Sequence, residues 1–161
     1  MKKPFAIAVS TILLGACSTT LPRTRETIPS VAGERLSKGG LEYIDIARGS
    51  GAPMASGKCA YTHYTGWLTN GVRVDSSRDG EPVAFIQGSG KVLRGWEIGI
   101  EGMRAGAKRR LLIPYQLAYG TEGSPPLVPS RADMIFDVEL MAVTDATNHQ
   151  CRPWKEVSRS G

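Results

Sequence analysis

Val92-Leu93-Arg94-Gly95-Trp96-Glu97-Ile98-Gly99-Ile100-Glu101-Gly102-Met103 is the stretch in which the pattern of the chain turns helical. Val92, Trp96, Ile100 and Met103 are spaced four, four and three apart, which places them on one helical face. Gly95, Gly99 and Gly102 each weaken a helix by about 1 kcal/mol relative to alanine. Such a helix survives only when packed on a sheet, and the missing side chains permit a close approach. The flanking sequence reads as that sheet. Leu41 to Ile46, Cys59 to Thr65, Val72 to Asp75, Val83 to Gln87, Leu111 to Ile113 and Met134 to Leu140 are β-favouring. Asn70-Gly71 is a strong hairpin signal between the second and third of these. In the last, Met134, Phe136, Val138 and Leu140 alternate with Ile135, Asp137 and Glu139. Five or six antiparallel strands with one short helix make an α+β domain. The 19 glycines and 10 prolines among 161 residues fit a turn-rich fold.

The N-terminus points to export. Lys2 and Lys3 precede a short apolar run from Phe5 to Leu14. A spanning helix needs about 20 apolar residues, so the run reads as a signal peptide over residues 1–16. Leu14-Gly15-Ala16-Cys17 then resembles the bacterial lipobox, in which Cys17 receives a diacylglyceryl group before cleavage. The plainer alternative is an ordinary secretory signal followed by a chance cysteine. One acyl chain binds membranes only marginally, and in the lipoproteins that this pattern resembles the processed cysteine carries three. Ser18 stands where an aspartate favours inner-membrane retention in that class, so the protein is expected at the periplasmic face of the outer membrane. Residues 17–40 are polar, broken and mixed in charge, and read as a flexible tether with at most a short helical piece around Val31 to Leu36. Residues 41–144 form the folded domain, and 145–161 a C-terminal tail. With Cys17 acylated in an oxidising compartment, Cys59 and Cys151 are left to pair or to stay as two free thiols.

Charge and motifs exclude several chemistries. The net charge of +5 falls to about +3 once Lys2 and Lys3 are removed, too little to argue for nucleic acid. Gly88-Ser89-Gly90-Lys91 lacks the earlier glycine and the following Ser or Thr of a phosphate loop, having Phe85 and Val92 there. His63 and His149 have no ligand spacing around them, so no metal site and no cofactor are expected. No G-x-S-x-G supplies a hydrolase nucleophile.

What remains is a set of aromatics at segment ends: Tyr64, Phe85, Trp96, Tyr119 and Phe136. On periodicity alone they read as plain core. The strings around them carry more. His63-Tyr64-Thr65-Gly66, Val74-Asp75-Ser76-Ser77-Arg78-Asp79, Val92-Leu93-Arg94-Gly95-Trp96-Glu97, Leu117-Ala118-Tyr119-Gly120 and Phe136-Asp137-Val138-Glu139-Leu140 resemble, in order and spacing, the FKBP-type peptidyl-prolyl isomerases. The resemblance covers about Leu41 to Val143. It implies a half-open antiparallel sheet curled around one short helix, with an apolar pocket between them.

Carried over by position, the resemblance puts Tyr64 on one wall with Val74 and Asp75 beside it. Val83 and Phe85 follow from the next strand, and Val92 and Leu93 precede the helix. Trp96 is the floor, Tyr119 reaches a substrate carbonyl, and Phe136 closes the pocket. Leu127 and Val128 overhang it from the proline-bearing loop. The chain departs from the pattern at Val74 and Val83, where better-studied members have Phe, which enlarges or softens the pocket. The segment from Asp75 to Val83 is about one residue short and lacks a basic residue that often pairs with the aspartate. Pro125-Pro126 replaces a common Pro-Gly.

An X-Pro bond turns over a barrier of about 18–20 kcal/mol, because its C–N bond has double-bond character. The twisted state has a less polar carbonyl and loses less than the planar state when water is removed. A dry pocket that holds the prolyl ring therefore favours it, without nucleophile or metal. Asp75 reads either as a solvated turn residue or, by the resemblance, as the group that organises Tyr64 by hydrogen bonding. The implied substrates are proline-containing unfolded or exported proteins, and the implied ligands include FK506- and rapamycin-type macrolides. The rival readings are a proline-peptide-binding or chaperone module with negligible turnover, and a structural envelope lipoprotein that reuses the fold.

Overall fold

The computed structural model describes residues 25–159. Its elements are β1 (Arg35–Lys38), β2 (Leu41–Ala47), β3 (Lys58–Leu68), β4 (Arg73–Ser76), β5 (Val83–Ile86), α1 (Arg94–Ile100), β6 (Lys108–Ile113), β7 (Met134–Asp145) and α2 (Trp154–Val157), with a 3-10 turn at Tyr115–Leu117. The strands form one antiparallel sheet in the order β1-β2-β6-β7-β3-β4, and β5 also pairs with β3. The two longest strands form its spine, since β3 pairs with β7 from Lys58↔Asp145 to Leu68↔Met134. The other edge of β3 is shared: β5 takes Cys59 to Thr62 and β4 takes Thr65 to Trp67.

The helix lies on this sheet because its glycines let it. A Cβ at Gly95 would stand 2.4 Å from Ile113 Cγ2, and one at Gly99 would stand 2.6 Å from Leu111 Cδ2. Trp96, Ile100 and Met103 then enter one core with Leu41, Phe85, Leu111, Ile113, Met134, Phe136, Val138 and Leu140. The expected Asn70-Gly71 turn is present. Asn70 Oδ1 accepts the Val72 N–H at 3.1 Å, and Gly71 takes a φ of +86° that only glycine adopts easily.

The α+β fold with one core helix is as the sequence implied, but the sheet has seven strands, and the seventh lies in the expected tether. Arg35 to Lys38 is a strand rather than tether or helix, paired with β2 through Lys38↔Leu41. Gly39 and Gly40 make the two-residue turn with φ of +57° and +89°, the geometry of the commonest hairpin loop. Contacts with the domain reach back further. Glu26 N–H bonds Gly71 O at 2.8 Å, the Trp67 indole donates to Glu26 at 3.3 Å, and Arg110 donates to Pro29 O at 2.6 Å. The folded domain, expected to start at Leu41, therefore reaches back at least to Arg25, which bridges to Val72.

Ile44 and Ile46, two residues apart and so expected on one face of a regular strand, part company. A bulge between Asp45 and Ala47 drops Ile46 from the pairing with β6, and it is left exposed. Ile44 stays buried, close against Gly33.

The C-terminal segment is fastened to the back of the sheet. Cys59 and Cys151 are joined as a disulfide, with their Cα atoms 5.5 Å apart. Trp154 packs on Tyr61 at 5.6 Å, and the Tyr61 hydroxyl donates to Arg152 O at 2.8 Å. These side chains, with Val157 and Ile86, form a second apolar cluster on the face of β3 opposite Ala60 and Tyr64. Cys17 and the signal segment lie outside the described residues.

Candidate active site

β3, β5, α1 and β7 converge on four rings. Trp96 of α1 stands edge-on to Tyr64 of β3, with centroids 5.0 Å apart and planes at 89°. It meets Phe136 of β7 at 5.4 Å and 83°, and Phe85 of β5 at 6.1 Å and 64°. Tyr64 and Phe136 are 6.2 Å apart. Such edge-to-face contacts are the favoured arrangement of ring quadrupoles and hold the indole in one orientation. Gly66 on β3 is needed beside them, since a Cβ there would lie 2.5 Å from the Phe136 ring.

A cavity of about 490 Å³ opens above the indole, within the usual range for small-ligand sites. Tyr64, Val74, Asp75, Val83, Val92, Leu93, Trp96, Tyr119 and Phe136 line it, together with Gly90, Lys91, Arg94, Ala118 and Met134. The floor is apolar, and Trp96 and Phe136 are each only 5% exposed. Tyr119 stands at the mouth, half in solvent.

The polar groups are few and placed. The Tyr64 hydroxyl donates a short hydrogen bond to Asp75 Oδ2, and Asp75 Oδ1 accepts the Ser76 N–H at 2.8 Å. Burial, the bond to Asp75, the Asp75 charge and the Tyr119 phenol together push the Tyr64 hydroxyl far above its ordinary value. Tyr64 is therefore a donor throughout the physiological range. Arg78, in the segment after Asp75, turns away and binds Glu139 at 2.6 Å.

The approach to α1 is fixed by Glu97. Its Oε1 accepts the Gly90 N–H at 2.8 Å, and its backbone carbonyl accepts from the Gln87 side chain at 2.6 Å. That ties the loop carrying Lys91, Val92 and Leu93 to the helix.

Residues 51–141 match the family described as FKBP-type peptidyl-prolyl cis-trans isomerase. The chain belongs to that family. It is 43% identical to an "FK506-binding protein" of Neisseria meningitidis serogroup B over 106 residues, which are 65% of this chain and 97% of that one. It is 50% identical over 103 residues to "FK506-binding protein 4" of Dictyostelium discoideum, but spans only 28% of that longer protein. The share is 27% for the protein of the same name from Rhizopus delemar. Among solved structures, the crystal structure of AtFKBP13 is similar at a TM-score of 0.64 and 35% identity, covering 69% of this chain and 99% of that one. A peptidyl-prolyl cis-trans isomerase from Pseudomonas syringae is similar at 0.61 and 32%, covering 66% and 77%.

Within this FKBP-type domain, three expected site residues do not line the pocket. Phe85 is 4% exposed and sits behind Trp96 as a support. Leu127 and Val128 do not overhang the cavity. The loop from Ser124 to Val128 closes on itself, with backbone bonds of 2.8 Å in both directions between its end residues. That closure turns Val128 into the core, at 2% exposed, and leaves Leu127 in solvent. Five further residues line the pocket. Met134 could have been found as the residue two before Phe136 on the same strand face. Ala118 is beside Tyr119, while Gly90, Lys91 and Arg94 flank the residues at the helix entrance.

Proposed function

We propose that this FKBP-type domain catalyses cis-trans isomerisation of X-Pro bonds in exported proteins, by taking the bond out of water. The observation that carries the reading is the indole of Trp96, held edge-on by three rings at the bottom of an open cavity. A prolyl ring laid on that floor leaves its preceding carbonyl near the cavity mouth, within the region that Tyr119 borders. Removing water there costs the planar, conjugated amide more than the twisted one, so the barrier of about 18–20 kcal/mol falls. Tyr64 and Asp75, each occupied with the other, furnish a fixed wall rather than an acid–base pair. The same apolar cavity suits a macrolide of the FK506 or rapamycin type.

Export and anchoring form part of the proposal. Leu14-Gly15-Ala16-Cys17 after a ten-residue apolar run supports acylation of Cys17 and residence at the periplasmic face of the outer membrane. The Cys59–Cys151 bond suits an oxidising compartment.

A chromogenic proline peptide measured with the purified mature protein tests the catalytic reading, and acceleration over buffer is expected. A protein folded by circular dichroism that binds the peptide without accelerating it makes this a proline-peptide-binding module instead. Intact mass of the membrane-extracted protein tests the anchor: an acylated chain starting at Cys17 is expected.

A further inference from the structure

Two cations at the mouth of the pocket are left over by this mechanism. Lys91 and Arg94 both line the cavity, and both side chains are exposed. They bracket Val92 and Leu93, so they stand on either side of the turn that delivers the floor. Among the described residues, Lys91 has no carboxylate within ion-pair distance. Arg94 has only Glu97, at 3.8 Å, and the other oxygen of Glu97 already holds the Gly90 N–H. Among the described residues the only carboxylate in the lining is Asp75, which accepts from the Tyr64 hydroxyl and the Ser76 N–H and forms no ion pair with a cation. The mouth therefore carries two exposed cations, Lys91 without an ion pair and Arg94 with one long one, against the single carboxylate of Asp75.

Stability of the fold does not account for the pair. Arg94 is the first residue of α1, where a cation opposes the helix dipole, and Lys91 touches no partner that would repay ordering its side chain. A peptide whose prolyl ring sits on Trp96 has to lead its neighbouring residues out through this mouth.

We propose that Lys91 and Arg94 make the site selective for prolines flanked by an acidic side chain. The inference rests on the prolyl-peptide reading of the pocket. Exposed ion pairs are weak and screened, so the effect is a bias of about two- to fivefold for each cation rather than an absolute requirement.

The test is two series of chromogenic peptides, with Glu, Gln or Lys placed before the proline in one and after it in the other. In wild-type protein at about 20 mM salt, kcat/KM should fall in the order Glu, Gln, Lys in at least one series. The Glu-to-Lys ratio should be about fivefold or more there, and should shrink towards one near 500 mM salt, where the Debye length is only a few ångströms. The double variant Lys91→Glu, Arg94→Glu, checked for folding by circular dichroism, should invert that order. Equal rates for Glu and Lys peptides in both series overturn the proposal, as does a preference unchanged by salt or by the double variant. If no peptide is accelerated, the isomerase reading fails by itself. Binding of the same peptides, read by quenching of tryptophan fluorescence, then decides the charge claim: tighter Glu peptides sustain it, and equal affinities overturn it.

Discussion

The Tyr64 hydroxyl gives its hydrogen to Asp75 across the β3–β4 pair, eleven residues apart in the chain. Strand register creates this contact: Gly66 pairs with Asp75 and Thr65 with Ser76, which brings the carboxylate alongside the phenol two residues earlier. Tyr64→Phe removes the donor while keeping the ring against Trp96. It should lower kcat/KM by about tenfold, the scale of one hydrogen bond to a charged group. Asp75 is exposed, so Asp75→Ala should lower thermal stability by less than about 1 kcal/mol while losing activity comparably. A melting temperature that falls in step with activity would make the pair merely structural.

Val74 leaves the ring wall thinner than it could be. It lines the pocket, half-buried, on the strand that carries Asp75. Val74→Phe adds an aromatic face for the prolyl ring, and such contacts contribute about 0.5–1.5 kcal/mol beyond area. Substrate affinity should rise about two- to tenfold, seen as a lower KM. Trp96→Leu should act oppositely on affinity. It should also cost about 2–4 kcal/mol of stability in urea denaturation, because a side chain only 5% exposed is cut back.

How much of this could be read beforehand depends on whether side chains or backbone decide each element. The helix, the Asn70-Gly71 hairpin and β7 are written in side chains: spaced apolar residues, a turn pair and strict alternation. Tyr64, Trp96, Tyr119 and Phe136 were legible for the same reason, because strings of distinctive residues surround them. β1 was not, since Arg35-Leu36-Ser37-Lys38 has no alternation, its leucine stays 36% exposed, and it is held by backbone pairing to β2. The signal for it is Gly39-Gly40, a two-residue hairpin turn that equally fits the end of a tether. Motif position does not locate Leu127 and Val128, because the path of a proline-rich loop is set by its own backbone bonds. Lys91 sits in a glycine-rich string that resembles part of a phosphate loop, and nothing in that string marks it as pocket lining.

The N-terminal strand is open to direct test. Arg110 is 7% exposed and holds Asp137 through both oxygens, at 2.6 and 2.7 Å, while also donating to Pro29 O. A chain beginning at Leu41 loses the Pro29 acceptor and the cover over Ile44. Its stability should fall by roughly 3 kcal/mol, from one hydrogen bond to a charged group and one uncovered isoleucine. An unchanged urea midpoint would return residues 25–38 to the status of a tether.

The Cys59–Cys151 bond closes a segment with a sequence separation of 92. In the chain-entropy account a loop that long is stabilised by about 4–5 kcal/mol, less where the native state is strained. Cys151→Ser should therefore lower the melting temperature markedly, and reductant should do the same to wild-type protein but not to the variant. The bond lies on the opposite face of β3 from the pocket, so the variant's kcat/KM should stay near the wild-type value at temperatures where both are folded. Two alkylatable thiols in unreduced protein would exclude the bond.

Glu139 should govern part of the acid sensitivity. It sits on β7 between Arg78 at 2.6 Å and Lys108 at 3.2 Å. Burial opposes its charge, but the hydrogen bonds and charges of the two cations outweigh burial and hold its carboxyl below the ordinary 4.5. A carboxylate depressed in the folded state binds its proton more readily when unfolded. Its contribution to stability is thus complete above the ordinary value and is lost as pH falls through the folded one. Wild-type protein should lose stability on acidification from about pH 5 downward. Glu139→Gln should be less stable at pH 7, where two cations lose their partner, and the gap should narrow as pH drops through that window. Urea midpoints at pH 7, 5 and 3 check the sign: a gap between the two proteins that stays constant would mean that Glu139 has the same proton affinity folded and unfolded.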